Sequence, residues 1–214
     1  MFELNDNFVI QKEEFSKSFI YIIDNFYKNP EQIHDYLFEN KAPLHKIEEV
    51  PTCNNVYFED RRLFKDDERL IPVINFLSEL VSQKPLTYEL LTNQTKFYID
   101  DFNDYKNCYW WPHHDAGYNG IVYFNEDNQN GTNIYYEIKS KKMLTEHHQP
   151  WRTKNDFKVL KHLEPKFNRL VFFDGYKFLH GMNIVNDRYF SNEYRKVLFK
   201  EFNRKLFFRF LNFR

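Results

Sequence analysis

Residues 18–24, SFIYIID, form a short apolar run with β-branched content and predict a strand. NPEQIHDYLFENK follows, with its proline where the first turn of a helix tolerates one. In that predicted helix Ile33, Tyr36 and Leu37 fall at i, i+3 and i+4, one apolar stripe able to cover a sheet, and His34 falls on the wet face. A second helical pattern runs from about Asp66 to Ser82, where Leu70, Val73, Ile74, Leu77, Leu80 and Val81 recur at helical spacing until Lys84-Pro85 ends it. From Leu91 the period changes. TKFYIDDF, NCYWWPHHD, GIVYFN, TNIYYEIK, RLVFFD and YRKVLFKEF are short aromatic and β-branched runs separated by turn residues, which predicts a sandwich or jelly roll. Residues 140–162, between the fourth run and the fifth, are polar and without clear period, so they read as a long loop, either a lid or a surface insertion.

Composition sharpens the class. Hydrophobic residues make up 42% of the 214 and aromatics 20%, enough to bury one principal core, so a single domain over 1–214 is expected. Phe (24) and Tyr (15) dominate while alanine stands only at positions 42 and 116, which favours strands over an Ala-rich bundle. The formal net charge of −1 gives no field to hold a polyanion, so no nucleic-acid partner is expected. Cys53 and Cys108 lack CxxC spacing and read as reduced thiols of a cytoplasmic protein. The start, MFELNDNFVIQKEEF, has no basic-then-apolar leader, and no run reaches the ~18 apolar residues of a membrane span, so no membrane association is expected.

The sharpest chemical signal is Pro112-His113-His114-Asp115 at the end of an aromatic run. Strand side chains alternate faces, so His113 and Asp115 project together and His114 points away, unless a bulge at Pro112 exchanges the histidines. Two imidazoles and a carboxylate on one side of an ion leave three octahedral positions open, the arrangement non-haem iron(II) oxygenases use. His180, in the Gly-flanked end of NRLVFFDGYKFLHGMN, is the best third ligand. Taken singly, each of the three is more often a structural histidine or a turn aspartate; the ordered set favours a site. His147-His148, adjacent on irregular chain, reads as exposed rather than as ligands.

The ordered set H-x-D, then His180, then Arg195 15 residues later in YRKVLFKEF resembles the iron(II)- and 2-oxoglutarate-dependent oxygenases. The resemblance extends to IVYFNED…NGTNIYY, PKFNRLVFFDGYKFLHGM and IYIIDNFYKNPEQIHDYLFEN, which look like segments of a poorly characterised, prolyl-hydroxylase-like branch, so it covers most of the chain. It implies a mainly β (α+β) fold, a cupin-like double-stranded β-helix or jelly roll over 91–205 with N-terminal strand and helices from 1–90 packed on it. It implies iron(II), 2-oxoglutarate and O₂ as cofactors, with ascorbate as an optional reductant, and hydroxylation of a substrate with release of succinate and CO₂. Arg195 would pair with the distal carboxylate of 2-oxoglutarate through its bidentate fork, with Arg188 as a rival for that role. Tyr109 faces inward with His113 by strand parity and would either hydrogen-bond the cosubstrate or pack in the core; Asn125 and Tyr135 are weaker candidates of the same kind. Asp115 fills the position a halide would need, which favours a hydroxylase over a halogenase. The substrate is either a peptide or protein side chain or a small metabolite. Two other readings stand: a zinc-dependent cupin-type hydrolase or isomerase on the same ligands, and a β-helix binding module without turnover.

Overall fold

The structure, a computed structural model, describes residues 1–15, 18–39, 44–49, 57–65, 68–82, 88–98, 107–115, 117–138, 152–190 and 193–203. In chain order its elements are β1 (Val9–Phe15), β2 (Ser18–Asp24), α1 (Pro30–Phe38), β3 (Leu44–Glu49), β4 (Tyr57–Lys65), α2 (Ile71–Leu80), β5 (Tyr88–Tyr98), β6 (Cys108–Tyr109) and β7 (Gly117–Tyr123). β8 (Thr132–Glu137), β9 (Arg152–Thr153), β10 (Phe157–Leu163), β11 (Leu170–Asp174), β12 (Leu179–Met182) and β13 (Arg195–Asn203) follow. The fold is mainly β. An eight-stranded antiparallel sheet runs β1-β2-β11-β7-β13-β5-β4-β3, a three-stranded sheet runs β10-β8-β12, and β6 pairs with β9. This is compatible with a β-sandwich.

Strand parity divides the core in two. Ile20 and Ile22 of β2, Ile121 and Tyr123 of β7, Val171 and Phe173 of β11 and Val197 of β13 meet Ile134 of β8 and Leu163 of β10 in one apolar layer shared by the two sheets. The intervening residues, Tyr21, Ile23, Val122, Leu170, Phe172 and Leu198, pack on Ile33, Leu37 and Phe38 of α1 and on Val73, Ile74 and Leu77 of α2. The large sheet is therefore covered on both faces, and β11 is buried at all five positions, which is why LVFFD reads as an unbroken apolar run. Burying each such side chain contributes about 1.5–3 kcal/mol. Among the described residues no helix is long and apolar enough to cross a membrane.

Both expected helices form, but Tyr36 stays 36% exposed and leaves the α1 stripe to Ile33, Leu37 and Phe38. Two features differ from the expectation. The first 90 residues hold β1, β3 and β4 as well as β2 and the helices. β1 is mostly exposed, and LHKIEE and YFEDRRLFK are charge-rich, so none of the three carries the apolar alternation that would mark a strand. The polar stretch 140–162 contains β9 and most of β10. A register shift between Val159 and Lys161 moves β10 from one face to the other, so Phe157 packs outside the small sheet and Leu163 inside it, and alternation is lost. Of the stretch 140–162 read as a lid or insertion, residues 140–151, with His147 and His148, lie outside the described residues.

Candidate metal centre

His113 and His180 are neighbours across two chain segments. They form an antiparallel bridge in which the His113 amide donates to the His180 carbonyl at 2.8 Å and the His180 amide donates back at 2.9 Å. Their rings lie 4.4 Å apart. Gly181 permits this approach: a Cβ there would run into the Trp110 carbonyl oxygen and stand 2.9 Å from that of Trp111. His180 projects with its partner Ile134 toward the inter-sheet core, and its ring meets Phe173 at 4.9 Å.

Both imidazoles are oriented from behind. Nδ1 of His113 donates to the Trp111 carbonyl at 2.6 Å and Nδ1 of His180 to the Phe178 carbonyl at 2.8 Å, so each Nε2 keeps its lone pair. Those atoms face Asp115, with His180 Nε2 3.1 Å from Oδ2 and His113 Nε2 3.6 Å from Oδ1. One ligand atom from each of the three residues lies within 4.8 Å of the others. Burial, with His180 beside it, pulls His113 down to about 4 despite the opposing pull of Asp115. Burial alone would raise the Asp115 carboxyl, but its contact with His180, the neighbouring His113 and the hydrogen bond from Asn119 hold it well below the usual carboxylate range. A deprotonated carboxylate beside unprotonated imidazole nitrogen is the state a cation needs. The group can hold a metal ion, and two nitrogens with one oxygen suit a borderline transition metal.

Two further groups hold Asp115. Its amide donates to the Gly175 carbonyl at 3.0 Å, and its Oδ2 accepts from Nδ2 of Asn119, a buried residue of β7. His114, between the two ligands, is exposed, so the expected alternation across 113–115 is present.

Arg195 begins β13 on the inter-sheet face and is 3% exposed. Its Nε has no hydrogen-bond partner, and among the described residues no carboxylate pairs with it. Burial lowers its pKa, opposed by Tyr123, Tyr189 and Asp127. The guanidinium carbon lies 5.6 Å from the Tyr123 ring, whose hydroxyl is 2.8 Å from Thr132 Oγ1. Thr132 is two residues from Ile134, the strand partner of His180, and so shares its face. Thr132, Tyr123 and the Arg195 guanidinium thus lie on the inter-sheet face toward which His180 also projects. Arg188 is committed elsewhere, donating to Glu193 at 2.6 Å and to the Glu126 carbonyl.

Tyr109, Tyr135 and Asn125 are not brought to this group. Tyr135 has the opposite parity to Ile134, and its ring packs 4.8 Å from Tyr109 and against Phe157 and Leu179 on the outer face of the small sheet. The parity that turned Tyr109 inward fails because Trp111 has φ 47°, a left-handed residue that resets the strand before His113. Asn125 ties the end of β7 to the approach to β13, donating to Glu193 at 2.7 Å and to the Tyr194 carbonyl at 2.9 Å. The sequence alone does not single out Asn119, Tyr123 and Thr132; for the first two the one signal is parity, since 119, 121 and 123 share a face in GYNGIVY. No protein-family model and no curated protein matches the chain.

Proposed function

We propose that this chain is an iron(II)- and 2-oxoglutarate-dependent oxygenase, a hydroxylase built on a double-stranded β-helix. The observation that carries the reading is Arg195: a buried guanidinium that has no acidic partner among the described residues is costly, and a site that keeps one on the same interior face as a metal group is suited to an anion that also reaches the metal. 2-Oxoglutarate has that chemistry, a carboxylate at one end and a chelating keto acid at the other. The path of the chain supports the fold reading. β5, β7, β11 and β13 are neighbours in the large sheet, while β8, β10, β12 and the His113 bridge form the small one, so the chain passes repeatedly from one sheet to the other as a jelly roll does.

In this reading His113, Asp115 and His180 hold iron(II), their Nδ1–H bonds to backbone carbonyls fixing the two rings. Iron(II), when bound, supplies the redox chemistry that couples decarboxylation of 2-oxoglutarate to succinate and CO₂ with insertion of an oxygen atom into a substrate C–H bond. Arg195 neutralises the distal carboxylate, and Tyr123, locked against Thr132, walls the space between them. The apolar layer of Ile134, Val171, Phe173 and Val197 excludes water from this interior.

The test is anaerobic: 2-oxoglutarate added to iron(II)-loaded protein should produce a weak visible charge-transfer absorption and raise the melting temperature. Admitting O₂ should then yield succinate. Bound iron with neither the absorption nor the thermal shift would overturn the reading and leave a zinc-type hydrolase or a binding module in its place.

A further inference from the structure

Asn119 lies within hydrogen-bonding reach of two of the three ligand residues at once. Its Nδ2 donates to Asp115 Oδ2 and stands 3.0 Å from His180 Nε2. Because His180 Nδ1 already donates to the Phe178 carbonyl, Nε2 is the acceptor, and both amide hydrogens of Asn119 point at atoms that would otherwise turn to a cation. The residue is 4% exposed and comes from β7, a strand that supplies none of the three ligands. The backbone opposite is cut away for it: a Cβ on Gly175 would stand 3.0 Å from Asn119 Nδ2, 3.0 Å from the Asp115 Cβ and 2.9 Å from the Gly117 carbonyl. Gly175 has no positive φ, so what it supplies is space for the Asn119–Asp115 pair rather than an unusual backbone.

We infer that Asn119 is a positioning residue for the metal group, tying down Oδ2 so that Asp115 presents a single oxygen, Oδ1, on the side of His113. This rests on the metal-binding part of the proposed function and on no part of the cosubstrate chemistry. When a cation takes His180 Nε2, the contact from Asn119 to that nitrogen must be given up, while its bond to Oδ2 is compatible with the bound state. Without the amide, the Asp115 carboxylate is free to rotate and to offer both oxygens, which changes coordination number as well as affinity.

The probe is cobalt(II) alone, added to the full chain, with affinity read by titration and coordination by visible absorption. Wild type should bind one equivalent with the weak absorption of a six-coordinate ion. Asn119→Leu, which keeps bulk and removes the donor, and Asn119→Ala should each bind about 10–100-fold more weakly, the range for lost outer-sphere partners, with an altered absorption. Gly175→Ala, which crowds the pair without touching either residue's chemistry, should move both readouts the same way. Melting temperatures of the metal-free variants separate a positioning effect from loss of fold, and Asn119→Ser, smaller but still a donor, should fall between wild type and Asn119→Ala. If wild type binds cobalt(II) and folded Asn119→Leu and Gly175→Ala bind it with unchanged affinity and spectrum, the inference is wrong while the metal group stands. If wild type itself does not bind, the metal group falls and the inference with it.

Discussion

The Trp111 carbonyl stands 2.6 Å from Nδ1 of His113, and Trp111 reaches that position from the left-handed region. The bond commits Nδ1 as donor, so His113 should show the Nδ1–H tautomer in ¹⁵N spectra of the metal-free protein. It also has a pH consequence. With its folded pKa drawn down to about 4 from 6.5, His113 is neutral where the unfolded chain would already be protonated. Its contribution is fully present above about pH 6.5 and is lost as pH falls toward 4. Metal-free wild type should therefore lose melting temperature across that window more steeply than His113→Asn; parallel curves would contradict the burial assigned to this ring.

Gly181→Ala should destabilise the protein and open the metal group together. The added methyl meets two backbone carbonyls, of Trp110 and Trp111, and neither can rotate away as a side chain would. A cost of about 1–3 kcal/mol is expected for such overpacking, read by chemical denaturation, with a parallel drop in metal affinity because His113 is displaced from His180. A stable variant with wild-type affinity would show that the bridge is not needed.

Arg195→Met should separate stability from ligand response. Removing a buried guanidinium with no acidic partner among the described residues relieves a desolvation cost, so the metal-free variant should melt no lower than wild type. In the iron-loaded protein the same change should cost 2-oxoglutarate about 2–5 kcal/mol of binding while leaving metal affinity unchanged. Arg188→Ala, which breaks the contacts with Glu193, the Glu126 carbonyl and the Tyr189 ring, should leave 2-oxoglutarate affinity intact. The opposite pattern would transfer the role to Arg188.

His113→Ala, Asp115→Ala and His180→Ala should each abolish stoichiometric metal binding, measured as metal content after dialysis, because removal of any one leaves two donors. His114→Ala is the control. Its side chain is exposed on the other side of the strand, so it should retain the metal.

Much of this architecture is legible in the sequence. Apolar runs over 18–24 and 170–174 survive as β2 and β11 because both faces of each strand are buried, and both helices carry stripes that the 3.6-residue period exposes. His113, Asp115 and His180 were accessible because the alternation from 113 to 115 is local. What failed was everything requiring a change of face. Tyr109 was carried inward through Trp111, where a positive φ breaks the alternation, and β10 was hidden by the shift at Leu160. Asn119 and Thr132 are small polar residues whose roles depend on which strand lies opposite, and no single-chain period contains that information. β1, β3 and β4 extend the large sheet by backbone pairing, to which their charged sequences are nearly indifferent.

The large sheet stands as a partition, with α1 and α2 behind it and the ligands before it. Each of β2, β7, β11 and β13 sends alternate residues to opposite sides, so an inherited change at Leu37 or Leu77 can reach the ligands only through a displaced strand backbone, never by direct contact. Divergence can then proceed at two tempos within one lineage: the helical side can drift or be remodelled wholesale so long as the strands stay in register. The ligand side is bound by Gly175 and Gly181, where even one added methyl is felt. Among distant descendants of such a chain, the glycines beside the ligands should outlast the helices in recognisable form.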